Sequence, residues 1–465
     1  MSSLGLSGLG RLEGGIGAIG AHSHGAEWAE LWPDTAAFEG NYLRRVGGVE
    51  LSELIAAHGS PAYVLDLATV ESRINQWKTA LAAGAGVGET TIHYASKALP
   101  VVGVCAFMAQ HGLHVDVASE GELAVALAAG IAPEHILVHG NNKSMELLAQ
   151  SVEYGVGFIV IDSLDELHRL GALGQPATVL LRLTPGVVAD THEAVATAAE
   201  HQKFGLSIRY ELAHAAVDLI RQYPQLDLAG LHLHIGSNIA NKDNFIAGIG
   251  RVAAFAHDTR VAVRHLNLGG GLGVPYVPGA VVPSITDHVE TLFEALDGAF
   301  PSVPHLMVEP GRSLVGTAGI TVYSVGTVKD VGDVRFVSVD GGMSDNPRPA
   351  MYGAVHTMAP VHRIGGAESP TMRQVMVAGL HCESGDMLGQ AALPADLRAG
   401  DLVASATTGA YTLSMSSNYN RVPRPVMVAV ANGNHETWVR RETVADVIAR
   451  DQLPQALKLV TRLAD

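Results

Sequence analysis

The sequence lacks the features typical of disulfide-bonded, membrane-spanning and nucleic-acid-binding proteins. It has two cysteines, Cys105 and Cys382, which excludes a disulfide framework and fits a reducing cytoplasm. No uninterrupted apolar run reaches the roughly 18 to 20 residues that a membrane span needs. The formal net charge of -16 argues against a nucleic-acid partner. We therefore expect a cytoplasmic protein that binds neither membranes nor nucleic acid.

We expect the N-terminal stretch to be a poor secretory signal. Residues 1–25 are rich in glycine, serine and alanine, without a basic start followed by a solid apolar block. We expect residues 1–30 to form a flexible tail. The length of 465 residues predicts two or three domains, and the 48% of hydrophobic residues supplies ample material for their cores.

Strand-like apolar runs alternate with amphipathic helical stretches through the first two thirds of the chain. Roughly eight strand–helix units over about 250 residues are typical of a closed (β/α)8 barrel. A doubly wound open sheet is the alternative that periodicity alone leaves open. The predicted strands are 91–95, 113–117, 136–139, 158–162, 179–183, 231–235, 265–268 and 306–308.

Polar side chains follow nearly every one of these runs. The carboxyl ends of barrel strands meet at one face, where barrel active sites lie, so this pattern favours the barrel. Polar capping of strands explains some of these residues, but not a lysine, a triple glycine and an acid–arginine pair together. The residues are Lys97, Asp116, Ser119, His139, Asn141, Asp162, Arg182, His234, Ser237, Gly269 to Gly271, Glu309 and Arg312.

The sequence pattern changes after Gly319, where short β-rich runs separated by turns predict an all-β domain. We expect the segment 42–51 to contribute a strand to that domain. The predicted organisation is a tail at 1–30, an N-terminal segment at 31–65 that joins the β domain, a (β/α)8 barrel at 66–315 and the β-sandwich or barrel-like C-terminal domain at 316–465.

Lys97 and Glu309 fit the needs of a lysine-bound aldehyde cofactor, pyridoxal phosphate. Such chemistry needs a lysine that bonds to the aldehyde and a carboxylate that keeps the pyridine nitrogen protonated. Lys97 follows the first predicted strand in Tyr94-Ala95-Ser96-Lys97-Ala98, and Glu309 ends the last one. In isolation either residue would be an ordinary surface charge.

The segments after the sixth and seventh runs fit the rest of the cofactor. Glycines at 269, 270, 271 and 273 let backbone N–H groups approach a phosphate, and Ser237 can add a hydroxyl. A dinucleotide site fails because Val274 stands where its last glycine belongs. His232 and His234 are two residues apart, so both side chains point to one face of their strand. No third and fourth metal ligands match them, so we expect no metal there. We expect His234 to stack on a ring and His232 to be a satisfied core histidine.

Three loops of the β domain carry further candidates. Cys382, in a polar, glycine-containing segment with Glu383 beside it, suits proton donation by an exposed thiol. Arg348 lies in a loop with Tyr352 and can bind a carboxylate with its two-pronged fork. Tyr411 places an aromatic hydroxyl in a glycine-containing turn.

Taken together and in order, these segments resemble the diaminopimelate decarboxylases, a family of fold-type III pyridoxal phosphate enzymes. The resemblance runs from about Trp32 to the C-terminus. It rests on Tyr94-Ala95-Ser96-Lys97-Ala98, His232-Leu233-His234-Ile235-Gly236-Ser237, Gly269-Gly270-Gly271-Leu272-Gly273, Glu309-Pro310-Gly311-Arg312, Cys382-Glu383-Ser384-Gly385-Asp386 and Gly409-Ala410-Tyr411. The chain departs from the family at Asn238, at Leu380-His381 and in the N-terminal tail.

The resemblance implies a role for each motif. Lys97 would carry the cofactor, His234 would stack on its ring and Glu309 would pair with its nitrogen. Arg312, Arg348 and Tyr352 would hold substrate carboxylates, and Cys382 and Glu383 would come from the partner chain of a head-to-tail homodimer. The phosphate would be surrounded by Gly236, Ser237, Gly269, Gly270, Gly271, Gly311 and Tyr411.

The implied reaction is loss of CO2 from the D-centre of meso-2,6-diaminoheptanedioate, which gives L-lysine. Three alternatives stay open at this point. They are a related decarboxylase of ornithine, arginine or lysine, an alanine-racemase-like enzyme, and a non-catalytic homologue that keeps the fold.

Overall fold

The computed structural model describes residues 26–84, 88–186, 203–234, 242–361 and 370–454. The predicted flexible tail falls almost entirely outside these residues. The strands are β1 Ala37–Glu39, β2 Tyr42–Val46, β3 Val49–Glu50, β4 Ala62–Asp66, β5 Thr90–Ala95, β6 His114–Val117, β7 Ile136–Val138, β8 Phe158–Ile161, β9 Ala177–Thr184, β10 Leu206–Ser207, β11 Leu226–Leu233, β12 His265–Asn267, β13 His305–Val308, β14 Gly319–Val331, β15 Val334–Val339, β16 Met358–Pro360, β17 Met372–Ala378, β18 Met387–Pro394, β19 Leu402–Ser405, β20 Val426–Ala431 and β21 Asn434–Val439.

Helices follow most of the barrel strands and also flank the β-rich parts of the chain. They are α1 Ala26–Ala29, α2 Leu51–His58, α3 Leu67–Ala82, α4 Val102–Gln110, α5 Glu120–Ala128, α6 Met145–Tyr154, α7 Leu164–Ala172, α8 Leu212–Ile220, α9 Lys242–Thr259, α10 Ile285–Leu296, α11 Arg312–Val315, α12 Arg348–Tyr352 and α13 Val444–Ile448. No helix among the described residues is both long and apolar enough to span a bilayer.

Eight parallel strands close into a barrel. The hydrogen-bonded order is β9, β11, β12, β13, β5, β6, β7 and β8, and β8 pairs with β9 to complete the ring. This confirms the predicted barrel and rules out the open sheet. Serine N-caps begin three of the helices that follow barrel strands; Ser119, Ser144 and Ser163 each accept an N–H three residues on. Short strand-to-helix loops therefore bring the strand-end residues to one face.

Alternation along the strands divides the barrel interior into layers. Leu137, Val160, Leu180, Ala229 and Met307 form an apolar cluster separate from the core under the helices. Because successive side chains of a strand point to opposite faces, the inward residue two positions further on lies one layer higher. From Leu137, Val160, Leu180 and Met307 that step reaches His139, Asp162, Arg182 and Glu309. A polar layer therefore lies above an apolar floor.

The second unit is a mixed β domain with one strand from the N-terminal part of the chain. Strand β4 lies between β14, to which it is antiparallel, and β20, to which it is parallel. The expected N-terminal strand is therefore present, but the segment predicted to supply it was wrong. Residues 42–50 instead form β2 and β3, which turn back at Gly47-Gly48 and pair within a small three-stranded sheet, and Leu51 begins α2. Both glycines have positive φ, as a tight hairpin turn requires.

The physical reason for this difference is burial. Every residue of β4 is buried, as the centre of a sheet demands, whereas β2 carries Arg44 and Arg45, which pair with Glu50 at the surface. Tyr42–Val46 meets the β domain through packing and one isolated bridge, Leu43 to Val361. The domain limits at 66–315 and 316–465 stay predictions.

Histidine 93 gives the barrel interior a dependence on pH. Its ring is buried, neither ring nitrogen has a hydrogen-bond partner among the described residues, and burial lowers its pKa from 6.5 to about 3. The unfolded chain therefore takes up a proton at higher pH than the folded chain does. Acidification below pH 6.5 must cost stability, and the loss continues until the pH reaches the folded pKa.

We predict that His93→Leu makes the protein less sensitive to acid. Between pH 7 and pH 5 the variant should lose roughly 2 kcal/mol less free energy of unfolding than the wild type, because one buried site no longer resists protonation. Urea unfolding at both pH values measures this. His257→Leu, at an exposed helical position, is the matched control. Equal acid sensitivity in His93→Leu and the wild type would contradict the assignment.

Candidate active site

A cavity of about 380 Å3 lies at the carboxyl ends of the barrel strands. Its size is within the range of small-molecule sites, and its position is that of a barrel active site. A larger groove of about 840 Å3 runs beside Trp28 and Trp32, but none of the polar strand-end residues lines it. Of the residues predicted from the sequence, Lys97, His234, Gly270, Gly271, Glu309, Gly311, Arg312 and Tyr411 line the smaller cavity.

Lys97 lies in a one-turn helix directly after β5 and reaches into this cavity. Lys97 itself is exposed to the cavity, while the neighbouring residues Ser96 and Ala98 are buried. Asp116, on the neighbouring strand beside Ala95, raises the pKa of Lys97. Burial in turn raises the pKa of Asp116, and the Lys97 ammonium opposes that rise. Neither carboxylate oxygen of Asp116 has a hydrogen-bond partner among the described residues. The charge of Lys97 is therefore the main interaction that favours the ionised form of this carboxyl.

Glu309 is the acid at the centre of the cavity floor. Oε1 accepts hydrogen bonds from His139 Nε2 at 2.6 Å and from Asn267 Nδ2 at 2.8 Å. His232 Nε2 lies 3.4 Å from the same oxygen, outside hydrogen-bond geometry, so it is not the satisfied core histidine that we expected. Burial alone would raise the pKa of Glu309, but the two histidines hold it well below its ordinary value. Burial lowers the pKa of His139 to about 3, so a neutral ring donates to an ionised carboxylate.

His139, His232 and Glu309 bring their ligand atoms within 4.8 Å of one another, a spacing that a metal ion could bridge. The observed geometry is that of a hydrogen-bonded cluster. Oε1 of Glu309 already accepts from Asn267 as well as from His139, and an ion bound at that oxygen would have to displace at least one of these donors.

The glycine loop after β12 depends on having no side chains. Gly269 has φ of +66°, and a Cβ there would lie 2.7 Å from Nδ1 of His234. A Cβ on Gly270 would lie 2.2 Å from the carbonyl oxygen of Glu309. The loop can therefore lie directly against the histidine ring and the strand that carries the acid. Burial lowers the pKa of His234 to about 3, which keeps its ring neutral beside Lys97.

The segment after Glu309 connects the acid to the lysine turn. The backbone N–H of Ala95 donates to the carbonyl of Pro310 at 3.1 Å. Gly311 packs so closely that an added Cβ would lie 3.0 Å from that of Ala95. The two chemically important segments are thereby fixed to each other through main-chain contact.

The β domain completes the rim of the cavity. The backbone N–H of Tyr411 donates to the carbonyl of Ala98 at 2.9 Å, one residue after the lysine. Tyr411 has φ of +59°, unusual for a residue with a side chain, and its ring lies under the Arg312 guanidinium at 4.6 Å. A Cβ on Gly409 would lie 1.8 Å from the carbonyl of Val315, so only glycine permits this approach.

Buried ion pairs hold two further strand-end residues that we did not assign to the site. Arg182 lines the cavity, pairs with Asp162 at 3.3 Å and lies 4.6 Å above the ring of Phe204. Behind Asp162, the fully buried Lys143 donates to Glu166 at 2.7 Å and to two backbone carbonyls. This network fixes the loop that begins at His139.

Cys382 and Glu383 lie away from the cavity within one chain. Both are exposed on a tight loop, and neither lines the barrel cavity. The buried Asp386 holds this loop by accepting N–H bonds from Met343 at 2.7 Å and from His381 at 2.8 Å. The thiol is therefore presented at the surface on a rigid support.

Arg348 and Tyr352 lie at the two ends of α12. The ring of Tyr352 is 61% exposed and the Arg348 guanidinium lies 5.7 Å from it. On its other side Arg348 lies over the ring of Tyr276, 5.4 Å from its centre. Within the described parts of the chain, neither Arg348 nor Arg312 pairs with a carboxylate. Two cations near the cavity are thus available to an anionic ligand.

The sequence-based prediction of the site was partial. Gly236 and Ser237 lie outside the described residues. Asp116, His139 and Arg182 were noted as strand-end polar residues without a role, and their alternation with buried strand residues was the available signal. Asn267 and Tyr276 carried no such signal, because their partners belong to other strands or to the other domain.

Comparison with known proteins identifies relatives over nearly the whole chain. Residues 67–316 match the family described as pyridoxal-dependent decarboxylase, pyridoxal binding domain. The chain is 43% identical to the diaminopimelate decarboxylase of Actinosynnema pretiosum subsp. auranticum, over 90% of this chain and 95% of that one. It is 40% identical to the Bacillus subtilis enzyme of the same name, over 87% and 94%. A diaminopimelate decarboxylase structure from M. jannaschii, in complex with L-lysine, superposes with a TM-score of 0.84 at 30% identity, covering 91% of this chain and 99% of that one.

We predict that Gly269→Ala destabilises the protein by about 2–4 kcal/mol, because the new methyl group meets both a positive φ and the His234 ring. Thermal unfolding at one protein concentration measures this. Gly130→Ala is the matched control, since Gly130 has φ of +77° and open space around its Cβ position. It should cost about 1 kcal/mol from backbone strain alone. Equal losses in the two variants would show that the contact with His234 is unimportant.

Proposed function

The chain belongs to the diaminopimelate decarboxylases, within the pyridoxal-dependent decarboxylase family, and from that membership we propose how its residues carry the reaction. It catalyses the pyridoxal phosphate-dependent loss of CO2 from meso-2,6-diaminoheptanedioate to give L-lysine, the last step of lysine biosynthesis by the diaminopimelate pathway. The observation that supports the assignment of residues is one cavity that brings together a lysine, an ionised acid and a glycine loop.

The residues of the cavity fit pyridoxal phosphate. Lys97 opens into the cavity, and an ionised Glu309 lies at its floor, where a protonated pyridine nitrogen needs a negative partner. Gly269 and Gly270 leave no room for side chains, so their backbone is open to a phosphate. The cofactor would be held by Lys97, His234, Gly236, Ser237, Gly269, Gly270, Gly271, Glu309, Gly311, Arg312 and Tyr411.

When bound, pyridoxal phosphate supplies an electron sink for the electron pair that the departing CO2 leaves behind. The chain supplies orientation and charge. Neutral His139 and Asn267 donate to Glu309 and keep it an ion, so the acid can hold a proton on the pyridine nitrogen. Neutral His234 presents a ring face for stacking, and Asp116 lies beside Lys97 and raises the pKa of its amine.

Arg312, Arg348 and Tyr352 would bind the carboxylate at the end of the substrate that does not react. Both guanidinium groups are free of carboxylate partners in the described parts of the chain, which suits an anionic ligand. Glu383 would contact the distal amino group. A substrate with a second amino-acid end satisfies all four residues, whereas ornithine, arginine and lysine have no second carboxylate. These contacts favour the diacid over the basic amino acids as substrate.

We also propose that the active enzyme is a homodimer with shared sites. Cys382 is exposed and lies outside the cavity of its own chain, so the thiol that reprotonates the substrate carbon would come from the partner. The presence of Lys97 and Cys382 favours an enzyme over a binding protein that kept the fold, and the thiol setting favours decarboxylation over racemisation. A reducing cytoplasm would keep the exposed thiol free.

The third prediction concerns the reaction itself. Purified protein should show an absorbance band of lysine-bound pyridoxal phosphate and should release L-lysine and CO2 from meso-2,6-diaminoheptanedioate. Lys97→Ala should lose the band, because no amine remains to bond to the aldehyde. Borohydride treatment and peptide mapping should label Lys97 in the wild type.

L-lysine and L-ornithine, tested under the same conditions, are the control substrates. Faster turnover of either one than of the diacid would contradict the assigned substrate. An unlabelled Lys97 would contradict the assigned cofactor lysine.

The fourth prediction concerns the shared site. Lys97→Ala and Cys382→Ala should each be nearly inactive, Cys382→Ala with its cofactor band retained. After mixing and refolding together, activity should recover to about a quarter of the wild-type value, because half of the dimers are mixed and one of their two sites is intact.

Two variants of the same residue provide the control. A mixture of Lys97→Ala and Lys97→Arg should recover no activity, because neither chain supplies the lysine. Full activity of Cys382→Ala would remove the thiol from the mechanism. No recovery in the mixture, with dimers present, would place both residues in a site made by one chain.

A further inference from the structure

Tyr276 lies between the two arginines that are proposed to bind the substrate carboxylate. It belongs to the loop that follows the glycines after β12, and nothing in the motifs of the sequence pointed to it. Its hydroxyl contacts Nη1 of Arg312 in a hydrogen bond. The guanidinium of Arg348 lies over its ring, 5.4 Å from the centre. One side chain therefore contacts a cation of the barrel and a cation of the β domain.

The contact with Arg312 fixes the direction of that guanidinium. Arg312 also lies over the ring of Tyr411 at 4.6 Å, so one aromatic ring supports its face while the Tyr276 hydroxyl accepts from its edge. A guanidinium held on two sides keeps a single orientation and leaves its remaining N–H groups for a ligand.

The contact with Arg348 works through the ring instead of the hydroxyl. Aromatic faces attract cations, so the ring between the arginines reduces the cost of bringing two positive charges close together. Nε of Arg348 is buried and has no hydrogen-bond partner among the described residues. This arginine is therefore positioned by the rings of Tyr276 and Tyr352, and its Nε is still available to a partner.

The backbone of Tyr276 is fixed as well. Its carbonyl accepts from the backbone N–H of Thr357 at 3.2 Å and from Oγ1 of the same residue at 3.1 Å. The carbonyl of the preceding Pro275 accepts from Oγ1 of Thr407 at 3.2 Å. The edge of the ring packs against His356, with centres 5.1 Å apart and planes at 86°. A barrel loop is thus anchored to the β domain at the point where the ring separates the arginines.

We propose that Tyr276 is a positioning residue that sets the spacing and orientation of Arg312 and Arg348, and so makes the site selective for ligands with a carboxylate at the distal end. This inference rests on the proposed function, which assigns both arginines to that carboxylate. Tyr276 acts through the arginines and takes no part in breaking or forming bonds.

Tyr276→Phe tests this proposal because it removes the hydroxyl and keeps the ring. Two ligands separate a carboxylate effect from general damage: L-lysine and 1,5-diaminopentane, which differ by one carboxylate. Calorimetry on the cofactor-loaded enzyme should show L-lysine binding weakened about 5–10-fold and 1,5-diaminopentane binding unchanged. The KM for meso-2,6-diaminoheptanedioate should rise by a similar factor of about 5–10, with kcat within about twofold of the wild type.

A double-mutant cycle shows whether Tyr276 acts through Arg312. In an Arg312→Met background, Tyr276→Phe should weaken L-lysine binding no further, because the hydroxyl has lost its partner. Tyr154→Phe, at a half-exposed position on α6, is the matched control and should bind both ligands as the wild type does.

Three results would overturn the proposal. They are unchanged L-lysine binding in Tyr276→Phe, equal weakening of both ligands, and additive effects in the Arg312→Met background. Turnover of the wild type in the same assays tests the proposed function separately. A wild type that releases no L-lysine would refute that function, whatever the tyrosine variant does.

Discussion

A single buried carboxylate, held as an ion by hydrogen-bond donors of the barrel wall, determines how the barrel interior is built. Glu309 has a depressed pKa although burial opposes its charge. Neutral donors supply the compensation: His139 from the loop after β7 and Asn267 from β12, with His232 of β11 close by. These side chains reach one oxygen because a closed ring of parallel strands brings distant parts of the chain to one layer. An open sheet could not surround the acid in this way.

The sequence was most informative where chemistry and strand ends coincide. Lys97, Glu309 and the glycines follow apolar runs, so their convergence could be inferred once a barrel was predicted. Asn267 and Tyr276 could not be found in this way, because each is defined by a partner far along the chain. The N-terminal strand was predicted at the wrong place because the hairpin at 42–50 and the strand at 62–66 both have sequences typical of β structure. A strand at the centre of a sheet must be buried along its whole length, and only β4 meets that requirement.

The cavity is formed jointly by two folding units. Tyr411 of the β domain donates its N–H to the turn that carries the lysine, and the barrel loop with Tyr276 accepts from Thr357 and carries an arginine on either side. Close glycine contacts, such as Gly409 against Val315, leave little freedom between the units at this seam. The rim of the site therefore has the rigidity of a domain interface, which suits a ligand held by charges at a fixed separation.

The position of β4 has a consequence for how the chain is made. This strand leaves the ribosome before any of the barrel, yet its two neighbours are β14 and β20, and β20 begins at Val426. During synthesis, both edges of this apolar strand therefore stay unpaired until β14, which begins at Gly319, has emerged, and one edge stays unpaired until β20 has emerged as well. The N-terminal hairpin and α2 pack on the same core, and they are available to cover this segment in the meantime. The small sheet at the start of the chain thus buries part of the strand that follows it before the other strands of that sheet exist.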